Sequence, residues 1–200
     1  KLGSVIKHLI NLRCLFLNFE KMSAAAQSYC FFEKHLFNLQ KLQRTIISYG
    51  HTKYNLGKDS LIFNSISKLP ALSFLDLNLA ATKTENLSEL NLPKIHSITT
   101  FVLNLNGVIN MSNGEFIYQL LCNMVNLEMV KLNLGRSDIN DEWLEKLCQI
   151  LNDLPNLKSL SLNMLLCPNI TLKGIHSFEE KIKIKWDLDL HYNGNIPSGL

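Results

Sequence analysis

The 200 residues contain only nine glycines and five prolines, and no linker rich in Gly, Ser or Pro divides the chain. The five cysteines, Cys14, Cys30, Cys122, Cys148 and Cys167, are odd in number, widely spaced and free of any C-x-x-C pair. That argues against a disulfide framework and favours a reducing, intracellular compartment, the cytoplasm being the expected one. Three N-x-S/T triplets, at Asn86, Asn110 and Asn169, are about what an Asn-rich chain gives by chance and carry no argument for secretion. Charged residues make up 18%, with a net charge of +3 and a pI near 8.6. Nucleic-acid binders gather Lys and Arg on one face, with a domain pI above ~9; here the basic residues are scattered, and nucleic acid is disfavoured as a partner. No unbroken apolar run approaches the ~18 residues of a membrane helix, so no membrane span is expected. A secretory signal is missing too. The chain opens at Lys1 on an apolar pattern and reads as a piece of a longer protein.

Motifs of catalysis are equally missing. The six histidines (His8, His35, His51, His96, His176 and His191) form no H-E-x-x-H and no metal-ligand spacing with cysteine. No G-x-x-x-x-G-K-[ST], G-x-G-x-x-G or G-x-S-x-G is present. Cys14 and Cys30 lie near His8 and His35, but a strand phase for Cys14 and a helical stretch around Cys30 leave them as lone thiols. No catalytic residue, metal, cofactor or small-molecule substrate is therefore expected.

What the chain has instead is leucine and asparagine, 38 and 22 of the 200. Such an excess prompts a search for internal repeats. Leu72-Ser-Phe-Leu75-Asp-Leu77-Asn-Leu79 returns as Leu157-Lys-Ser-Leu160-Ser-Leu162-Asn-Met164, as Leu127-Glu-Met-Val130-Lys-Leu132-Asn-Leu134 and as Ile98-Thr-Thr-Phe101-Val-Leu103-Asn-Leu105. An earlier copy is Leu12-Arg-Cys-Leu15-Phe-Leu17-Asn-Phe19, and a weaker one starts at Leu39 with Arg44 in an apolar slot. The last begins at Lys183 and keeps Trp186, Leu188 and Leu190. First positions at 12, 39, 72, 98, 127, 157 and 183 give steps of 27, 33, 26, 29, 30 and 26 residues.

Within each copy the alternation of apolar and polar residues predicts a strand with one inward and one outward set. Its clearest case is Lys181 to Leu190, where Ile182, Ile184, Trp186, Leu188 and Leu190 alternate with Lys181, Lys183, Lys185, Asp187 and Asp189. Between strands the period becomes helical. From Asp141 to Leu154, residues Trp143, Leu144, Leu147, Ile150, Leu151 and Leu154 form one stripe, and Asp141 and Glu142 suit a helix start. Gly114 to Val125 repeats the plan with Phe116, Ile117, Leu120, Leu121 and Met124. Pro70, Pro93 and Pro155 stand just before strands, where a helix must stop. Residues 20–60 are the least regular zone and include the turn-like Ser48-Tyr-Gly-His-Thr52. Trp143 and Trp186 are most simply core.

The repeated L-x-x-L-x-L-x-L unit resembles the leucine-rich-repeat superfamily over nearly the whole chain. Its long period, with room for a helix, is similar to the ribonuclease-inhibitor-like subclass; the L-x-L-N-L wording followed by Ser137-Asp-Ile-Asn-Asp-Glu142 also resembles repeats of ciliate proteins. The resemblance implies an α/β solenoid over residues 1–200, one domain of about seven repeats: a right-handed horseshoe arc with a parallel sheet on the concave face and helices on the convex face. It also implies an Asn or Cys three residues beyond the L-x-L leucine. Only Asn106 fills that slot; the others hold Glu20, Ala80, Gly135, Leu165 and His191, so the loop hydrogen bonding must be supplied otherwise.

A single strand–helix unit cannot bury its own apolar face, so neighbours must stack and leave the outward strand positions to solvent. The third, fifth and seventh places of each copy give the expected inner surface of the arc. They are Cys14, Phe16, Asn18; Lys41, Gln43, Thr45; Phe74, Asp76, Asn78; Thr100, Val102, Asn104; Met129, Lys131, Asn133; Ser159, Ser161, Asn163; and Lys185, Asp187, Asp189. One reading is a partner-contact patch centred on Phe16, Phe74, Val102 and Met129. The other is a solvated strand face with stray apolar groups. The Asn18, Asn78, Asn104, Asn133, Asn163 column means either stacked amides or inheritance from a duplicated unit, since Asn is disfavoured in strands. Lys181, Lys183 and Lys185 could meet a phosphate backbone or an acidic protein, but Asp187 and Asp189 follow and suggest a neutralised edge.

A protein-binding scaffold or structural subunit of a larger multi-subunit assembly is the expected function. The alternatives are the substrate-recognition segment of a multidomain protein, such as a ubiquitin-ligase receptor or a repeat-bearing kinase, and a GTPase activator, for which no matching Arg or loop is found. Terminal repeats need polar caps. Neither end carries one, so cover by flanking chain or another subunit is expected near Leu2–Leu12 and near Ile196–Leu200.

Overall fold

The computed structural model describes residues 5–6, 8–20, 33–52, 61–82, 93–108 and 115–184. Within them six strands of five residues form one open parallel sheet in chain order: β1 (Cys14–Asn18), β2 (Arg44–Ser48), β3 (Phe74–Asn78), β4 (Thr100–Asn104), β5 (Met129–Asn133) and β6 (Ser159–Asn163). Parallel neighbours need a crossover of a dozen residues or more. The first strand residues are 30, 30, 26, 29 and 30 residues apart, which gives room for one. Helices α1 (Ile62–Ile66), α2 (Glu115–Asn123), α3 (Asp141–Asp153) and α4 (Leu172–Lys181) fall in these intervals. The chain is thus α/β and advances one strand per unit in a solenoid-like arrangement.

Register is constant across all five pairings, so Leu15, Thr45, Leu75, Phe101, Val130 and Leu160 form one column and Leu17, Ile47, Leu77, Leu103, Leu132 and Leu162 the next. From β2 to β6 every member of both columns is buried, and all of them but Thr45 join Phe116, Ile117, Trp143, Leu144, Leu147, Ile175 and Phe178 of the helices in one hydrophobic core. Full burial of such a side chain is worth about 1.5–3 kcal/mol. The core thins towards β1, where Leu12, Leu15, Leu17 and Phe19 are half-buried and Val5, Leu9 and Ile10 are exposed. Ile196–Leu200 lie outside the described residues.

Helix boundaries follow local chemistry. Asn140 caps α3 by accepting the Trp143 N–H at 2.9 Å, with Asp141 and Glu142 in its positively polarised first turn. Thr171 caps α4 by accepting the Gly174 N–H at 3.1 Å. The Asp141 carboxylate joins the two helix starts, accepting from the Thr171 N–H at 2.8 Å and its hydroxyl at 2.6 Å. A Cβ at Gly174 would stand 2.1 Å from Asp141 Oδ1, so any other residue there displaces this carboxylate.

Two expectations are corrected. The second unit starts at Leu42, not Leu39: Arg44 pairs with Cys14 and Phe74, so Lys41 and Gln43 precede β2 and Thr45 is wholly buried. Thr45 occupies a core slot with its hydroxyl 3.5 Å from the Leu15 carbonyl, which hides the L-x-L signature. Leu39 and Leu42, both buried and three apart, imitate its beginning. The second correction is at Lys181, which closes α4 and does not open a strand. Ile175, Phe178 and Ile182 continue the helical stripe onto the core, and Lys181 reaches back to Glu145 on α3 at 2.5 Å. Lys183 and Ile184 belong to no strand, and the remainder of that expected copy, with Trp186 and His191, lies outside the described residues.

Candidate functional site

Alternation that sends leucines into the core sends three other side chains of each strand to the opposite face. Register aligns them into three rows: Cys14, Arg44, Phe74, Thr100, Met129, Ser159; then Phe16, Ile46, Asp76, Val102, Lys131, Ser161; then Asn18, Ser48, Asn78, Asn104, Asn133, Asn163. All twelve described candidates, Phe16, Asn18, Phe74, Asp76, Asn78, Val102, Asn104, Met129, Lys131, Asn133, Ser161 and Asn163, therefore share one face. Lys185 and Asp187 lie outside the described residues. The second and third rows line a shallow trough of about 480 Å³ that crosses all six strands.

Within the first two rows on this face the apolar groups alternate with polar ones, except that Phe16 stands directly beside Ile46. Phe16, 66% exposed at the edge strand, is the barest of them. Asp76 stands between Ile46 and Val102 in its row, and Thr100 between Phe74 and Met129. The Arg44 guanidinium lies over the Phe74 ring at 3.7 Å, a stacked cation–π contact. Burial between these neighbours raises the Asp76 carboxyl above its usual value, and the Arg44 charge offsets this only in part. The shifted register of β2 hides Arg44, Ile46 and Ser48 from the repeat pattern.

The asparagine row has a structural role. Asn18, Asn78, Asn104, Asn133 and Asn163 each accept, through Oδ1, the backbone N–H two residues on, at 2.8, 3.0, 3.0, 3.2 and 2.9 Å. The donors are Glu20, Ala80, Asn106, Gly135 and Leu165, the slots where asparagine itself was expected to serve the loop. Such Asx turns end five of the six described strands, β2 closing on Ser48 instead. Three residues past the strand end the backbone takes a left-handed φ, at His51, Ala81, Gly107, Arg136 and Leu166. From there His51, Ala81, Gly107 and Arg136 donate their N–H to the carbonyl of the next unit's slot residue at 2.8–2.9 Å, extending the inter-unit ladder beyond the strands.

One carboxylate is already seated on this ledge. Glu20, in the turn after β1, accepts at Oε1 from the Ser48 hydroxyl at 2.6 Å and from Asn78 Nδ2 at 2.9 Å. Ser48 and Asn78 are paired in the third row, so the carboxylate bridges two adjacent strands. Nothing in the sequence pattern signalled this, because Asn78 is 58 residues from Glu20.

Elsewhere, a cleft of about 310 Å³ between α3 and α4 is lined by Asp141, Glu145, Cys148, Lys173 and Lys181 among others. Several of its charged groups are already engaged: Lys181 holds Glu145 below the usual carboxylate range, and Asp141 is bound to Thr171. Burial pushes the Cys148 thiol up, which opposes a nucleophilic role. Among the described residues no group of three or more His, Cys, Asp or Glu could hold a metal ion, and no helix is long and apolar enough to cross a membrane. No protein-family model matches the chain, and no curated protein matches it either.

Proposed function

We propose that this chain is a leucine-rich-repeat domain of the ribonuclease-inhibitor-like kind, and that it acts as a protein-binding scaffold within a larger intracellular assembly. It recognises its partner through the outward strand face. The observation that carries this reading is the trough of about 480 Å³, in which five strands set an asparagine, and all six a mixture of apolar, hydroxyl and charged side chains, at constant register. Supporting it are the sequence period of 26–30 residues per unit and the hydrogen-bonded strand backbone on which these side chains stand. Side chains held on paired strands lose little further freedom on association, which lowers the cost of binding.

Photo-cross-linkers at Phe16 and Val102 test the reading in the protein's own cells. A defined protein partner captured from both positions, and lost when Val102 is replaced by Arg, is the expected result. Equal capture from a control position on the helical side, such as Glu142, would overturn it.

A further inference from the structure

The β4–β6 half of the outward face differs from the other half in one respect: it carries no carboxylate. Its nine strand positions hold Thr100, Val102, Asn104, Met129, Lys131, Asn133, Ser159, Ser161 and Asn163, with Lys131 as the sole charge. Lys131 is exposed and makes no ion pair or hydrogen bond among the described residues, whereas Lys146, Lys158 and Lys181 are each paired with a glutamate.

The amides here have a fixed sense. A backbone N–H can be accepted only by an amide oxygen, so the bonds from Asn106, Gly135 and Leu165 fix Oδ1 of Asn104, Asn133 and Asn163 on the turn. Each Nδ2 is left as a free donor. Trp143 Nε1 is the one buried side-chain nitrogen or oxygen without a partner among the described residues, so none of the three Nδ2 groups is a sealed, unsatisfied donor, and the asparagines themselves are half-buried. Parallel strands stand about 4.8 Å apart, which sets these donors in a row one strand spacing apart.

The chain itself shows what such a row accepts. On β2 and β3 the paired Ser48 and Asn78 hold the Glu20 carboxylate. Asn104 with Asn133, and Asn133 with Asn163, are the corresponding pairs on the next strands, with Lys131 two residues before Asn133 on the same face. Resting on the protein-binding reading above, we infer that the β4–β6 ledge is a carboxylate-reading site for an acidic polypeptide segment, in which Asn104, Asn133 and Asn163 donate to side-chain carboxylates as Asn78 donates to Glu20, and Lys131 supplies the cation. Glu20 marks the end of the usable ledge, because its own carboxylate fills the seat on β2 and β3.

The test titrates the full chain with a fluorescein-labelled decaglutamate peptide, with decaglutamine and a phosphoserine-rich peptide of matched length alongside. Asn104→Asp, Asn133→Asp and Asn163→Asp are the informative variants. Aspartate still accepts the turn N–H, so the strand end is kept, while the outward donor becomes an acceptor. Lys131→Met removes the cation without touching a core residue, and circular dichroism checks that each variant folds. Expected are binding of decaglutamate in preference to the other two peptides, a loss of at least tenfold in each of Asn133→Asp and Lys131→Met, and tighter binding in Glu20→Ala, which vacates a further seat. Failure of decaglutamate to bind, binding indifferent to the Asn→Asp changes, or equal binding of either comparison peptide overturns the inference. If the cross-linked natural partner is lost in Val102→Arg but retained in Lys131→Met, the carboxylate site falls while the protein-binding reading stands. If it survives both, the two fall together.

Discussion

Gly174→Ala should destabilise the chain, against the ordinary rule for a helix. Gly174 lies in the first turn of α4, and replacing glycine by alanine in a helix normally gains about 1 kcal/mol. Here the new Cβ would stand 2.1 Å from Asp141 Oδ1 and 2.3 Å from its Cγ, closer than any real contact, so the carboxylate must leave. Its departure breaks the bonds from the Thr171 N–H and hydroxyl, at 2.8 and 2.6 Å. At this exposed position each is worth about 1 kcal/mol. Loosening the Thr171 cap adds about 0.5–1 kcal/mol, which leaves a net loss of about 1–2 kcal/mol. Urea denaturation of four proteins, the parent, Gly174→Ala, Asp141→Ala and the double variant, reads the coupling directly. In the Asp141→Ala background the clash is gone, and the alanine should recover its helix-forming gain. The effect of Gly174→Ala then changes sign, with a coupling of about 2–3 kcal/mol. If Gly174→Ala stabilises the parent, or costs the same in both backgrounds, the Asp141 bridge is not what holds α4 to α3.

Asp76→Asn tests the outward face through pH. Because burial raises the folded-state pKa above 3.8, the native chain holds the proton more tightly than the unfolded one. That contribution is complete below the unfolded value and is lost as pH rises through the folded value. Asp76→Asn should therefore raise Tm at pH 7 and match the parent near pH 3; a lower Tm at pH 7 refutes the assignment. Leu166→Gly should stabilise by about 0.5–1 kcal/mol, since the φ of 61° costs a leucine about 1–2 kcal/mol and the entropy of glycine returns only part of it. Gly107→Ala, at φ 71°, should do the reverse, and thermal unfolding of both reads the pair. Glu33→Ala removes a fully buried carboxylate that accepts the Leu61 N–H at 2.7 Å and the Tyr49 hydroxyl at 2.8 Å, and should cost about 3 kcal/mol in urea titration. A loss under about 1 kcal/mol is incompatible with those bonds.

Five of the six described strands were legible because both of their faces obey one rule. In β3 to β6 an apolar residue stands at every core position and an asparagine at every strand end, so alternation alone gives the register. β2 broke the rule twice, with Thr45 in the core and Ser48 in the asparagine row. At Lys181 the ambiguity has another source: Ile182 sits where a helical stripe from Ile175 and Phe178 meets an alternating Lys-Ile pattern, and local periodicity cannot choose between them. The asparagine row was visible as a column, but its purpose was not. An Asx bond depends on the turn two residues later, and that turn departs at nearly every copy from the pattern of the repeats this sequence resembles. The Glu20 seat was beyond any local pattern, since only the stacking of units brings residues 20, 48 and 78 together.

The turn chemistry and the outward face are one device. A parallel stack needs every strand to end at the same height, or the register of the next unit slips and its leucines leave the core. Here that stop is made by a side-chain oxygen binding a backbone N–H, repeated at five of six strands. The left-handed residue that follows tolerates His, Ala, Gly, Arg or Leu, because its N–H is secured by the neighbouring unit where that bond is made, as at His51, Ala81, Gly107 and Arg136. Anchoring the oxygen leaves the amide nitrogen of the same asparagine pointing away from the turn. Each unit that ends its strand on asparagine therefore adds one oriented donor to the face, at no further cost in side-chain entropy. Glu20 shows the consequence within the chain, by filling one such position with a carboxylate from the neighbouring turn.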